Sequence, residues 1–497
     1  MSLEPRADRG VPELTARVVR ASFPKGTLAV RVREALGPLF EDESFAEAFS
    51  GRGRPAVSPG ALALVSVLQY AEGLTDRQAA DQVRARMDWK FLLGLELDDA
   101  GFDFSVLCDF RARLIEHGLE EKVLDLVLER ISGIGLLRAG GRQRTDSTHV
   151  LAAVRTLNRM EFVGETLRSA LEALSAAAPQ WLSALVTADW VRRYGARIDS
   201  YRFPKGENVR QEWAEQVGRD GFSSPYDPDA RYGVKRGSGW CGYKTHLSET
   251  CEPDVPHLIT HVVTTDATVA DTEVTETVHQ GLAARELLPA EHDVDAGYVT
   301  AAHIVTARNE YGIELVGPVG LDTCHENHEG EHFTQSAFTV DWQTRKVTCP
   351  EGKISASWSD QRKSSGTPIA RVHFTAQDCG SCPVREKCTK AANGTWGRSL
   401  TLLPRDQQEA LEARRREQLT DEWQQRYNIR AGVESTISQA VRRTRIRRTR
   451  FTDLPKTHLG HVFAATAINI IRLDAWLTQT PLGQTRTSHL ARLGLAA

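Results

Sequence analysis

Three acidic residues have the type and setting needed for phosphodiester chemistry. Asp146 lies in TDSTHV, Asp295 in VDAGY and Glu434 in RYNIRAGVESTISQAVRR. Cutting a phosphodiester requires the charge on the scissile phosphate to be neutralised and a nucleophile placed in line. Two divalent ions about 4 Å apart do both. Mg²⁺ prefers oxygen ligands and keeps several waters, so two or three carboxylates suffice. The expected pattern is acidic residues on strands plus one on a neighbouring helix. Asp146 falls inside a β-branched segment and Asp295 at a strand end before a small-residue turn. There Gly297 permits close approach by backbone or substrate. Tyr427, Arg430 and Glu434 are spaced by three and four residues, which predicts one helix face carrying all three. Arg430 is then placed to hold a phosphate or to orient Glu434. Asp266, Asp271 and Asp293 also lie near strands, and spacing alone does not exclude them.

A second group of residues suits a soft metal. Cys379, Cys382 and Cys388 stand in DCGSCPVREKC, and Cys349 lies 30 residues earlier in TCPEG. Four thiolates converging on one tetrahedral Zn²⁺ would pin a segment with few large apolar residues. His325, His328 and His332 in HENHEGEH read as a solvated loop. Lys244 and His246 fall on the strand GYKTHL. The third group is basic. The chain's net charge is −3, so phosphate contacts must come from local patches. Residues 442–450, RRTRIRRTR, supply Arg442, Arg443, Arg445, Arg447, Arg448 and Arg450. Arg52 and Arg54 in GRGRP are a smaller candidate patch, with Arg77, Arg84 and Arg86 after them.

The three acidic segments resemble the bacterial DDE transposases, insertion-sequence enzymes with a ribonuclease-H-like core. TDST resembles the first-aspartate strand and DAGY the D-x-G-Y motif. Tyr427, Arg430 and Glu434 match the first three positions of Y-x-x-R-x-x-x-E-x-x-x-x-x-x-K. The lysine position holds Val441, with Arg442 and Arg443 just after. An adjacent arginine taking over that contact would sit about 100° further round the helix per residue. The resemblance covers roughly residues 50–475. It implies that Asp146, Asp295 and Glu434 bind two Mg²⁺ (or Mn²⁺) ions, with Tyr427, Arg430 and Arg442 in support. It also implies double-stranded DNA as partner, both terminal inverted repeats and target, and a homodimer on DNA. The implied reaction frees a 3′-OH at the element's end, which then attacks target DNA. The alternatives are a host nuclease with the same core and a decayed DNA-binding protein that has lost catalysis.

These residues must be positioned by an α/β fold, a ribonuclease-H-like mixed sheet with flanking helices. Residues 1–137 predict an all-helical DNA-binding domain. Ser58-Pro59 is a helix start, Thr75 and Gln78 fit a capping box, and Gly118 and Gly133 follow two further helices. Residues 138–320 predict the first part of the core, with strands at 143–150, 242–249, 257–265, 291–298 and 312–320. A helical insert at about 157–222 carries Trp181, Trp190 and Trp213 as packing anchors. Residues 321–403 predict a β-rich insertion holding the zinc site. Residues 404–480 predict the rest of the core with the Glu434 helix, and 481–497 a tail. Hydrophobic residues make up 41% and charged residues 26%, as in globular proteins. No apolar run suits a membrane span, and the N-terminus lacks a secretory pattern, which predicts a cytoplasmic protein. Free thiols or metal ligands are then expected rather than disulfides. No motif suggests a serine, cysteine, glycosidase or nucleotide-driven mechanism.

Overall fold

The computed structural model describes residues 3, 10–50, 52–53, 55–154, 159–185, 224–235, 237–322, 333–389 and 397–480. Arg54, Trp190, Trp213, Cys324 and the three histidines of HENHEGEH lie outside them. The chain forms two compact units. One comprises Met1–Arg138, Asp146–Val269 and Val433–Ala497; the other comprises Ala139–Thr145 and Ala270–Gly432.

The first unit begins with seven helices: α1 (Glu13–Ser22), α2 (Leu28–Leu36), α3 (Pro59–Glu72), α4 (Asp76–Ala85), α5 (Met87–Leu93), α6 (Ser105–Glu116) and α7 (Lys122–Gly133). Their ends follow local chemistry. Ser58 Oγ accepts the Ala61 N–H at 3.1 Å, with Pro59 pre-set for the first turn. Thr75 and Gln78 form the reciprocal capping box. Helix α3 is buried from Leu62 to Ala71 on every side, so it runs through the core.

Strand β1 (Arg142–Leu151) follows, its first four residues belonging to the second unit and the rest to the first. Helices α8 (Arg159–Ala177) and α9 (Pro179–Leu185) occupy part of the expected insert. Trp181 there is 57% exposed, so it does not anchor a core. Strand β2 (Arg231–Lys235) pairs antiparallel with β3 (Ser238–Thr250), which pairs antiparallel with β4 (Ile259–Asp266). Past the end of β1, Ala152 N–H donates to Cys241 O at 3.0 Å. Gly242, at φ +148, permits this approach, because a Cβ there would collide with Val150 O and Ala152 N.

The second unit holds α10 (Asp271–Ala284), β5 (Glu291–Val294), α11 (Ala301–Tyr311) and β6 (Glu314–Val316). The first residues of β1 pair parallel with β5, and β5 pairs parallel with β6. The segment 291–298 is a short strand ending in a turn, as expected, while the strand expected at 312–320 is shorter, because Gly317 onward leaves the ladder. The 321–403 segment contains hairpin β7 (Thr339–Asp341) and β8 (Lys346–Thr348), then β9 (Ser357–Arg362) and β10 (Pro368–His373). Two short helices, α12 (Ala376–Gly380) and α13 (Arg385–Cys388), precede β11 (Ser399–Leu402). Strand β10 lies between β9 and β11, antiparallel to both. The small core here is Phe338, Val347, Val372, Phe374, Leu400 and Leu402. Helices α14 (Arg405–Glu417) and α15 (Asp421–Tyr427) complete the unit.

Helix α16 (Gly432–Thr444) returns the chain to the first unit, and α17 (Leu454–Leu477) closes it. Every residue of α17 from Leu459 to Ile470 is buried, and it packs on α2, α3, α6, α7 and β4. The rings of Tyr70 and Phe463 stack at 5.9 Å. Asn469 fastens α17 to β4, its Oδ1 accepting from Ile259 N and its Nδ2 donating to Ile259 O, both at 2.7 Å. The N-terminal helices and the C-terminal helix thus share one core, although the sequence places them at opposite ends.

Candidate active site and cysteine cluster

In the first unit, Asp146 lies on β1, buried, with its Oδ1 accepting the Ser147 N–H at 2.7 Å. Side chains alternate along a strand, so Asp146, Thr148 and Val150 share one face; all three are buried. Arg447 Nε donates to Thr148 Oγ1 at 2.7 Å. On the other face, Lys235 Nζ lies 3.4 Å from Ser147 Oγ. Burial, then the positive charges of Arg447 and Lys235, push the His149 imidazole below its usual range. Lys244 donates to Val269 O at 2.5 Å, and His246 is buried on β3. Asp266 closes its own turn by accepting the Thr268 N–H at 2.7 Å.

Glu434 lies in the first turn of α16, where the helix dipole favours a carboxylate. The helix is fixed from behind. Thr436 Oγ1 donates to Glu249 at 2.6 Å, and Arg472 donates to Glu249 at 2.7 Å, to Thr436 at 2.5 Å and to Gln439 at 2.8 Å. Arg472 also reaches His257 O at 2.9 Å. The Glu249 side chain is 0% exposed. Sequence reasoning missed this cluster, although a lone arginine within the apolar stretch IIRLDAWL was a usable signal.

The arginine run does not continue the helix. Helix α16 ends at Thr444, and Arg445 adopts φ +56. The following chain pairs with the end of β1: Leu151 N–H donates to Arg447 O at 2.8 Å, and Thr449 N–H donates to Leu151 O at 3.1 Å. Arg442 bonds Ser438 at 2.6 Å; Arg443, Arg445 and Arg448 are exposed. Arg450 donates to Leu74 O and lies over the Tyr70 ring at 5.5 Å. Arg52 is exposed.

In the second unit, Asp295 follows β5 and its Oδ1 accepts the Gly297 N–H at 2.7 Å, a turn closed by its own side chain. Buried Tyr298 roots the turn among Val294, Val299 and Ile304. A Cβ on Gly297 would come within 2.8 Å of Asp295 Oδ1 and 3.3 Å of Asp271 Oδ2. The glycine therefore makes room for two carboxylates. Arg430 Nη2 lies 3.9 Å from Asp295 Oδ2. Tyr427 donates to Val294 O at 3.1 Å and stacks on Trp423 at 4.7 Å.

The helical path that carries Tyr427, Arg430 and Glu434 passes through a 3₁₀ turn. Tyr427 ends α15, Arg430 lies in a 3₁₀ turn (Asn428–Ala431), and Glu434 lies in α16. Arg142 and Arg144 bind carbonyls in and just before this turn. Arg142 donates to Arg426 O at 2.7 Å and Arg144 to Ile429 O at 2.6 Å, while Gly432 leaves space for the Arg144 guanidinium. Arg142 also grips Asp293 at 2.6 and 2.7 Å. Asp293 is thus a buried structural partner, with burial pushing its carboxyl above the usual range against the pull of Arg142.

Cys349, Cys379, Cys382 and Cys388 all line one cavity of about 30 Å³. Cys349 Sγ accepts the Lys353 N–H and Cys379 Sγ the Arg398 N–H, each at 3.3 Å. Burial pushes the Cys388 thiol up to about 11. The seven described cysteines are free of disulfides. Among the described residues, no three or more His, Cys, Asp or Glu side chains are gathered closely enough to hold a metal ion. The donor types suit the metals, hard oxygen for Mg²⁺ and thiol for Zn²⁺.

These features define a mixed α/β protein with carboxylates on β1 (Asp146), after β5 (Asp295) and in α16 (Glu434). Residues 17–113 match a family model described as a transposase domain, and residues 348–474 match the transposase DDE domain. The second match spans Glu434, the arginine run and the four cysteines. Over these two segments the chain is similar to transposases. A search of curated proteins finds no match. Among the described residues, no helix is long and apolar enough to cross a membrane.

Proposed function

We propose that this chain cuts the DNA ends of its own insertion sequence and joins them to target DNA, with Asp146, Asp295 and Glu434 as the metal-binding carboxylates. The observation that carries the reading is the transposase DDE match across α16, which contains Glu434 in its first turn. The resemblance of TDST and DAGY supports the two aspartates. The turn at Asp295 and the fixing of α16 by Arg472 support rigid placement of two of the three groups. Two Mg²⁺ or Mn²⁺ ions, when bound, supply charge neutralisation and activation of water at the phosphodiester. Of the acidic alternatives, Asp293 and Asp266 are committed to structural bonds. The partner is double-stranded DNA, terminal repeats and target, held by a homodimer in the bacterial cytoplasm. Exposed Arg443, Arg445 and Arg448 are the DNA-facing cations, with Arg52 and Arg54 in the N-terminal region. The four cysteines are read as ligands of a structural Zn²⁺, supported by their spacing and shared cavity.

The test is Mg²⁺-dependent nicking of a supercoiled plasmid that carries the gene with its flanking DNA. Asp146→Ala, Asp295→Ala and Glu434→Ala are each expected to abolish nicking while retaining DNA binding. Full nicking by any one of them removes that residue from the site. Nicking by all three overturns the reading. Joined products distinguish a transposase from a host nuclease.

A further inference from the structure

We infer that Arg447 is the phosphate-binding cation of the reaction site, held by Thr148 beside Asp146 so that its free guanidinium nitrogens grip a non-bridging oxygen of the DNA being cut. This rests on the proposed role of Asp146.

The argument starts from a departure in the motif. The pattern Y-x-x-R-x-x-x-E-x-x-x-x-x-x-K, which this chain resembles, ends in a lysine where this chain has Val441, which offers no charge. The two arginines that follow on α16 are poor replacements. Arg442 is exposed and bonded to Ser438 on its own helix, and Arg443 is exposed at the next position round. Arg447 is different in three respects. Its backbone is fixed to the catalytic-type strand, since its carbonyl accepts the Leu151 N–H at 2.8 Å. Its side chain is fixed as well, through Nε to Thr148 Oγ1 at 2.7 Å. And Thr148 lies two residues from Asp146 on the same strand face, about 7 Å along a strand rising roughly 3.3 Å per residue.

One donor of the guanidinium is used by that bond. Among the described residues, Nη1 and Nη2 of Arg447 have no protein partner. The group is half-buried, which strengthens a charge-assisted bond relative to a fully solvated arginine. A planar fork with both terminal nitrogens available matches a phosphate oxygen pair. Arg447 moves no proton and forms no covalent bond; it neutralises and orients the phosphate while the carboxylate side carries the ions. Lys235, near Ser147 on the opposite face of β1, adds to the local positive field.

The experiment compares wild type, Arg447→Ala, Arg447→Lys, Thr148→Val and Asp146→Ala on the plasmid described above. Nicking rate is measured at saturating protein, and affinity for the same DNA across a salt series. Arg447→Ala is expected to slow nicking about 100-fold at saturation. Its affinity falls less than about 10-fold, and the slope of log affinity against log salt becomes shallower by about 0.9, the loss of one phosphate contact. Thr148→Val, which keeps the volume and removes the anchor, gives an intermediate nicking rate with an unchanged salt slope. Arg447→Lys restores part of the rate. Circular dichroism screens each variant for folding, and Arg447→Lys carries the comparison if the alanine variant unfolds. Wild-type nicking by Arg447→Ala at saturation overturns the inference, as does a loss recovered entirely by raising protein concentration. Should Asp146→Ala nick normally, Asp146 leaves the proposed site and this inference falls with it; should Asp146→Ala be inactive and Arg447→Ala normal, this inference alone falls.

Discussion

Arg472→Ala tests how α16 is held. Arg472 contacts Glu249, Thr436, Gln439 and His257 O at 2.5–2.9 Å. Truncation strips the cation from a carboxylate that solvent does not reach. Breaking one side of a buried ion pair costs about 3–5 kcal/mol. The arginine here is only partly shielded, which places the cost toward the lower end, about 3 kcal/mol. The hydrogen bond lost at Thr436 adds about 1 kcal/mol. The expectation is therefore about 4 kcal/mol, roughly a thousandfold in the folding equilibrium. Urea titration followed by far-ultraviolet circular dichroism measures it. The double variant Glu249→Leu with Arg472→Met removes both charges together and is expected to recover most of the loss, because no unpaired charge remains. A cost below about 1 kcal/mol for Arg472→Ala refutes the reasoning. So does a double variant as unstable as the single one.

Gly297→Ala is expected to displace the Asp295 carboxylate, since the new methyl group would lie 2.8 Å from Oδ1; nicking should fall at least tenfold with little change in melting temperature, and unchanged nicking would show that the carboxylate moves freely. Burial, with the nearby His458, holds His461 neutral down to about pH 3. An unfolded histidine takes up its proton near pH 6.5. Unfolding therefore binds a proton below that pH, and stability falls as pH drops from 6.5 toward 3, by up to about 1.4 kcal/mol per pH unit; His461→Gln should flatten that slope in urea titrations run between pH 7 and 4.5. Cys382→Ser is expected to remove zinc from protein purified without chelator, read by elemental analysis against about one equivalent in the wild type; a metal-free wild type would exclude the structural zinc.

Much of the fold was legible because local chemistry and burial agree. Ser58, Thr75 and Gln78 sit where capping demands, and the apolar runs of α3 and α17 mark core helices. Strand β1 was readable from its β-branched residues. The 3₁₀ turn between α15 and α16 was not, and its partners Arg142 and Arg144 lie nearly 300 positions away. Strand β2 was missed because RYGVK is short and mostly exposed, so no hydrophobic alternation announces it. The separation of Asp293 from Asp295 also required three dimensions. Both are acidic residues at one strand end, and only the grip of Arg142 shows that the first is committed to structure. Thr148 and Glu249 gave no signal by type, because their importance lies in which arginine each meets.

The pairing of Leu151 with Arg447 and Thr449 gives the arginine run a property its composition conceals. A stretch so rich in one charge, left loose, would have to fold onto a polyanion and lose chain entropy in doing so. Here the backbone is already hydrogen-bonded to a strand, so the cations form a comb with set teeth. Engagement of a duplex by these arginines would then proceed by docking rather than by ordering, and its specificity would depend on how well the fixed tooth spacing fits the shape of the groove.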